Sequence, residues 1–189
     1  MNRYFQTQVK KHIEAEGYAE RWNVTDSKVR EYVSVDEYVE SVRVTTLKEW
    51  WALRPVIAAA RNLEPEHLNK TPYRILVFGR GEGGAPHTHG PFIMLPHATL
   101  YRITPATLVH EKMHIYQRHH PIETVSHIAK TYPITGFEYP EQNMRANPDT
   151  SRILFGDMRP VYKLDAAALT DIQDPRDHPY EIQAYKTAP

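Results

Sequence analysis

The residues best suited to chemistry are His110-Glu111-Lys112-Met113-His114. On a helix, positions four apart share a face, so His110 and His114 can present two imidazoles to one metal ion. Glu111 is one step round the helix from His110. There its carboxylate can reach a water on that metal without being a ligand itself. Cysteine is absent, so thiolate ligands and disulfides are excluded, and any metal site must use His, Asp or Glu. The chemistry expected of this set is hydrolysis by a zinc-activated water, with a peptide bond as the target.

That chemistry requires a helix, and the flanking residues predict one. Thr104-Pro105 reads as a start, with Thr at the cap and Pro in the first turn. Val109, Met113 and Tyr116 form an apolar or aromatic stripe at helical spacing, able to face a core. His110, His114 and Gln117 form a second, polar stripe. Pro121 closes the helix at about His119 or His120.

With these residues in hand, the stretch resembles the active-site helix of the zincin metallopeptidases. The resemblance implies that His110 and His114 bind Zn2+ and that Glu111 is general base and proton shuttle. A catalytic zinc generally has three protein ligands plus water, and two residues compete for the third place. His120 holds the position of the third His in the metzincin subgroup. There, however, Gln117 and Arg118 stand where the chain would have to turn, and as good helix formers they carry His120 away. Glu181, in His178-Pro-Tyr-Glu-Ile-Gln-Ala-Tyr185, resembles the ligand on the second helix of the gluzincin subgroup, and it is the favoured choice. That subgroup often has Asp four residues beyond the ligand, where this chain has Tyr185. The set His-Glu-x-x-His-x-x-Gln-Arg, Asn147-Pro-Asp-Thr150 and His178-Pro-x-Glu181 is also similar to small zincin-like proteins of phages and large viruses.

Donors for a developing oxyanion are sought among Tyr185, His178, Tyr180 and Arg176, and partners for the histidines at Asp149 and Asp177. The competing reading is a zinc-stabilised structural or binding module, such as a viral component, with little turnover. In that case the same ligands serve folding.

Around the motif the chain reads as an α+β, zincin-like single domain spanning 1–189. Residues 1–70 form a helical N-terminal part and 71–189 the catalytic core. The core is expected to have a small mixed sheet, the active-site helix and a downstream ligand helix. Helices are expected over 5–22, from near Asp36, and over 46–62, where Pro55 predicts a kink or break. Trp50 and Trp51 read as core residues. Residues 73–79 predict a buried strand. The glycine-rich stretch 80–90 reads as a mobile loop with solvated His87 and His89; it is no phosphate-binding loop, because no G-K-S/T follows. Residues 91–103 read as one bent strand or two. The zincin resemblance makes part of them a sheet edge that receives an extended peptide. A short helix over 122–132, an irregular stretch over 133–151, a strand over 159–164, a helical turn over 166–172 and a last helix opened by Pro179 complete the chain.

At 189 residues the chain can bury a substantial core. Lys plus Arg and Asp plus Glu are 23 each, so net charge gives no reason to expect nucleic acid or a membrane as partner. The expected partner is a peptide or protein substrate. The first residues lack the apolar stretch of a secretion signal, and no apolar run is long enough for a membrane span. The expectation is a soluble protein, cytoplasmic or associated with a phage or virus.

Overall fold

The structure is a computed structural model that describes residues 1–17, 33–137, 144–146, Asp149, 153–155, 161–165, 170–172 and 179–188. Four strands form its central mixed sheet: β1 (Arg43–Val44), β2 (Ile75–Phe78), β3 (His87–His89) and β4 (Phe92–Pro96), in the order β1-β2-β4-β3. β2 and β4 run parallel, and the two outer strands run antiparallel to their neighbours. Successive strand residues point to opposite faces. Val77, Ile93 and Leu95 therefore enter one core cluster, while Leu76, Phe78, Phe92 and Met94 enter another.

Helices cover both faces. α1 (Asn2–Ala15) and α2 (Val35–Ser41) contribute Val9, Ile13, Tyr38 and Val39 to one cluster. α3 (Leu47–Leu63) and α4 (Pro105–His119) contribute Leu53, Ile57, Leu108, Val109 and Met113 to the other. α5 (Pro121–Ile128) follows α4, and α6 (Pro179–Thr187) packs back on α4 through Ala184. This is the mixed α and β architecture with a small mixed sheet that the sequence predicts. A two-stranded antiparallel sheet joins β5 (Ile134–Phe137) to β7 (Ile153–Phe155). A second, three-stranded one orders β6 (Met144–Ala146), β8 (Val161–Asp165) and β9 (Thr170–Ile172) as β6-β8-β9. Among the described residues, no helix is long and apolar enough to cross a membrane.

Side-chain caps set the helix starts. Ser34 with Glu37 and Thr46 with Glu49 both form complete capping boxes, each cap worth about 0.5–2 kcal/mol. Thr104 caps α4 by accepting from the Thr107 N–H, with Pro105 in the first turn. The C-cap is His120, where Pro121 starts the next helix.

Several expectations fail for local reasons. α3 runs through Pro55 without a break; Pro55 and Trp51, whose carbonyl loses its helical partner, lie on the exposed face, where water can replace the bond. Trp50 and Trp51 are 45% and 58% exposed, because Glu49, Leu53, Ile57 and Ala60 take the buried face. Residues 87–89 form a buried strand. The alternation His-Thr-His places both imidazoles among the aromatic rings of Tyr38 and Phe78. Pro96 ends β4, and 97–102 form a 3-10 turn instead of further strand. β4 itself is interior, flanked by β2 and β3, so it is not the sheet edge expected of 91–103. Residues 134–137 and 144–146 are strands within the stretch expected to be irregular, and 170–172 are a strand where a helical turn is expected. α1 ends at Ala15, and the remainder of the helix expected to 22 lies partly outside the described residues.

Candidate metal centre

α4 delivers His110 and His114 one above the other, and α6 brings Glu181 from seventy residues downstream to meet them. The two Nε2 atoms lie 3.0 Å apart. Glu181 Oε2 lies 3.2 Å from His110 Nε2 and 3.5 Å from His114 Nε2. These three side chains can hold a metal ion. His114 and Glu181 are buried, and His110 is partly open to solvent.

Gln117, one turn beyond His114, fixes the geometry. Its Nε2 donates to the Tyr180 carbonyl at 2.9 Å and to Gln183 Oε1 at 3.1 Å. The amide oxygen is thereby turned toward His114 Nδ1, 2.9 Å away. Nδ1 then carries a proton and donates it, so that Nε2 is the nitrogen facing His110 and Glu181, and the one whose lone pair a metal would take once its proton is displaced. Spacing alone put Gln117 on the polar stripe. Its orienting role was readable from the i, i+3 relation to His114 but needs Tyr180 to be specified.

The electrostatics favour positive charge. Burial lowers the pKa of His114, but the carboxylates of Glu181, Asp149 and Glu111 outweigh it and raise it to about 10. Burial pushes Glu181 up, and the His114 charge with hydrogen bonds from both histidines holds it well below the usual carboxylate range. Glu111 is pushed well above that range, first by burial and then by the charges of Asp149 and Glu181. Glu111 is buried, and its Oε2 makes no hydrogen bond among the described residues.

Asp149 is held at the rim of this cluster. Its Oδ1 accepts from the Thr88 N–H at 2.9 Å and from the Thr88 hydroxyl. Arg118, next after Gln117, donates to Thr88 Oγ1 at 2.9 Å and to the Gly90 carbonyl at 3.0 Å, and pairs with Glu16 at 3.2 Å. Gly90 adopts φ +54°, and a Cβ there would run into the His12 ring. The sequence marks Arg118 only as a helix former and as the end of the His-Glu-x-x-His-x-x-Gln-Arg set, and it singles out neither Thr88 nor Glu16, since nothing in it places β3 beside α4.

The chain matches no family model, no curated protein and no solved structure. The remaining expected residues therefore stand on geometry alone. His120 caps α4, stacks on Tyr116 and approaches Glu123; it does not join His110 and His114. The Tyr185 ring lies 4.5 Å from that of His110. The Tyr180 side chain packs with Ile128 instead. Arg176, Asp177 and His178 lie outside the described residues. His87 and His89 are engaged elsewhere, with Tyr38 and Glu16.

Proposed function

We propose that the chain is a zinc-dependent metallopeptidase of zincin-like fold, with His110, His114 and Glu181 as ligands and Glu111 as general base. The observation that carries this reading is the convergence of the three donor atoms at 3.0, 3.2 and 3.5 Å from one another. Tetrahedral zinc bound at about 2.0–2.1 Å spaces its ligand atoms by about 3.3–3.4 Å, close to these edges. Two imidazoles and one carboxylate form a donor set suited to zinc, whereas calcium takes about six to eight oxygens. The tautomer fixed by Gln117 presents the correct nitrogen, as orienting partners do in metal sites.

Zinc in this place supplies Lewis acidity for a scissile carbonyl and brings the pKa of a water to about 7. Glu111 does the proton work. Its Oε2 faces no hydrogen-bonding partner among the described residues, so it is available to take a proton from the attacking water and pass it to the leaving amine. Burial raises that carboxyl's pKa, and a dication held beside it would bring it down, so that the carboxylate would be ionised to accept the proton. Tyr185, on α6 one turn past Glu181 and beside His110, is the donor placed to reach a developing oxyanion.

The test is peptide hydrolysis by the zinc-loaded protein and by Glu111→Gln over a panel of unrelated peptides. The reading expects Glu111→Gln to keep its zinc and to lose about 10²–10⁴-fold in kcat. Equal turnover by both proteins removes Glu111 from the chemistry. A zinc-loaded wild type that cleaves nothing, and unfolds when chelated, is instead a zinc-stabilised module.

A further inference from the structure

The outward face of α3 carries a run of exposed aromatic and apolar residues. Leu47, Trp50, Trp51 and Arg54 recur at i, i+3, i+4 and i+7, which makes one continuous stripe. Leu47 is 72% exposed, and both tryptophans are about half exposed. Burial of the opposite face is complete through Glu49, Leu53, Ile57 and Ala60, so the stripe is not a misplaced core. Tyr101, on the neighbouring 3-10 turn, adds a further exposed ring. That turn adjoins the start of α3, with His97 Nε2 3.8 Å from Glu49 Oε1.

The exposed charges that these two segments contribute have one sign. Lys48, Arg54 and Arg102 are exposed. The sole acid within 43–63 is Glu49, which is buried and gripped by both arms of Arg43 at 2.7 Å; residues 97–104 contain no acid. A net charge of zero for the chain therefore conceals a local cationic, aromatic face.

We infer that this face of α3 is a docking surface for an anionic phospholipid bilayer. Tryptophan and tyrosine rings, with one apolar body and one polar edge, partition to the headgroup level. Lysine and arginine beside them are drawn to anionic lipid. Two features favour a bilayer over single-stranded nucleic acid, which also uses aromatics and cations. The most exposed of the stripe's apolar residues is an aliphatic one, Leu47, which offers no stacking face. The Trp51 ring already carries the Arg54 guanidinium at 5.3 Å. The surface is also a convex helix side, suited to lying in a plane.

The experiment is co-sedimentation of the full chain with vesicles of phosphatidylglycerol and phosphatidylcholine in equal parts, against phosphatidylcholine alone. The proposal expects binding to the mixed vesicles, weakened by added salt, with a blue shift of tryptophan emission. Each lost cation should weaken it about fivefold, so K48E/R54E should fall by at least about tenfold, and W50A/W51A should lose the shift. All four positions are exposed, and unchanged far-ultraviolet circular dichroism confirms that the variants fold. Three results overturn the proposal: no binding to mixed vesicles, equal binding by the folded variants, or lipid-free self-association or oligonucleotide binding that the same variants abolish in place of vesicle binding.

Discussion

Gln117 settles which nitrogen of His114 faces Glu181. Its amide cannot turn round without placing its oxygen against the Tyr180 carbonyl, so donor and acceptor ends are both assigned. A neutral imidazole with the opposite tautomer would point an N–H, not a lone pair, at the other two donors. Gln117→Leu should therefore bind zinc about 10–100-fold more weakly than the wild type, as orienting groups around metals typically show. Gln117→Glu, which keeps an acceptor for Nδ1–H, should recover part of the loss. Competition titration against a chromogenic chelator measures both; an unchanged affinity in Gln117→Leu would show that His114 is oriented by something else.

At the scale of elements, the histidine-bearing helix is pinned on its other side by a buried charge. Lys112, between the two motif histidines, places its Nζ 2.6 Å from Glu64 Oε2 and 4.3 Å from the centre of the Tyr73 ring. Tyr73 donates its hydroxyl to the same carboxylate oxygen at 2.7 Å. The pair ties the end of α3 to the middle of α4, and both side chains are almost wholly buried. Removing one partner strands the other charge, so Glu64→Ala should cost about 3–5 kcal/mol in denaturant unfolding. A cost below about 1 kcal/mol would mean that Lys112 finds water or another partner. The motif helix was legible in the sequence because its ends carry explicit chemistry, Thr104-Pro105 and Pro121; the capping boxes of Ser34 with Glu37 and Thr46 with Glu49 carry the same kind of signal and emerge only in the structure. Strand placement was not legible, since pairing is decided by distant residues. Nothing near His87-Thr88-His89 announces that β4 will cover one side of it and Asp149 will take the outward N–H of Thr88. The facing of Trp50 and Trp51 was hidden for a related reason. α3 carries apolar residues on both faces, and only the sheet decides which of them is buried.

For the molecule outside the metal centre, acid is the predicted weakness. Burial lowers the pKa of His87 from 6.5 to about 4. The unfolded chain binds that proton first, so stability begins to fall as pH drops below 6.5. Glu49 is drawn from 4.5 to about 2, chiefly by Arg43. Glu16 reaches about 2 although burial opposes it, through His89, Arg118 and the Gly90 N–H. Both contribute stability above 4.5 that is lost as pH falls toward 2. Urea midpoints measured downward from neutral pH should therefore decline in two stages. Glu49→Gln should make the second stage shallower, leaving the share of Glu16, and should leave the first; a first stage that persists unchanged in His87→Phe would contradict the role given to His87. The candidate site was legible to the extent that local spacing defines it: the two histidines and the neighbouring glutamate lie on one helix, and helix continuity through Gln117 and Arg118 removes His120. The rest of the site depends on how α6 docks on α4, which no local pattern encodes. The most direct test of that convergence is elemental analysis of purified wild type, His110→Ala, His114→Ala, Glu181→Ala and His120→Ala after exposure to zinc and removal of the excess. The account predicts one zinc per chain in the wild type and in His120→Ala, and its loss in the other three. Zinc retained by Glu181→Ala at wild-type affinity, or lost from His120→Ala, would contradict it.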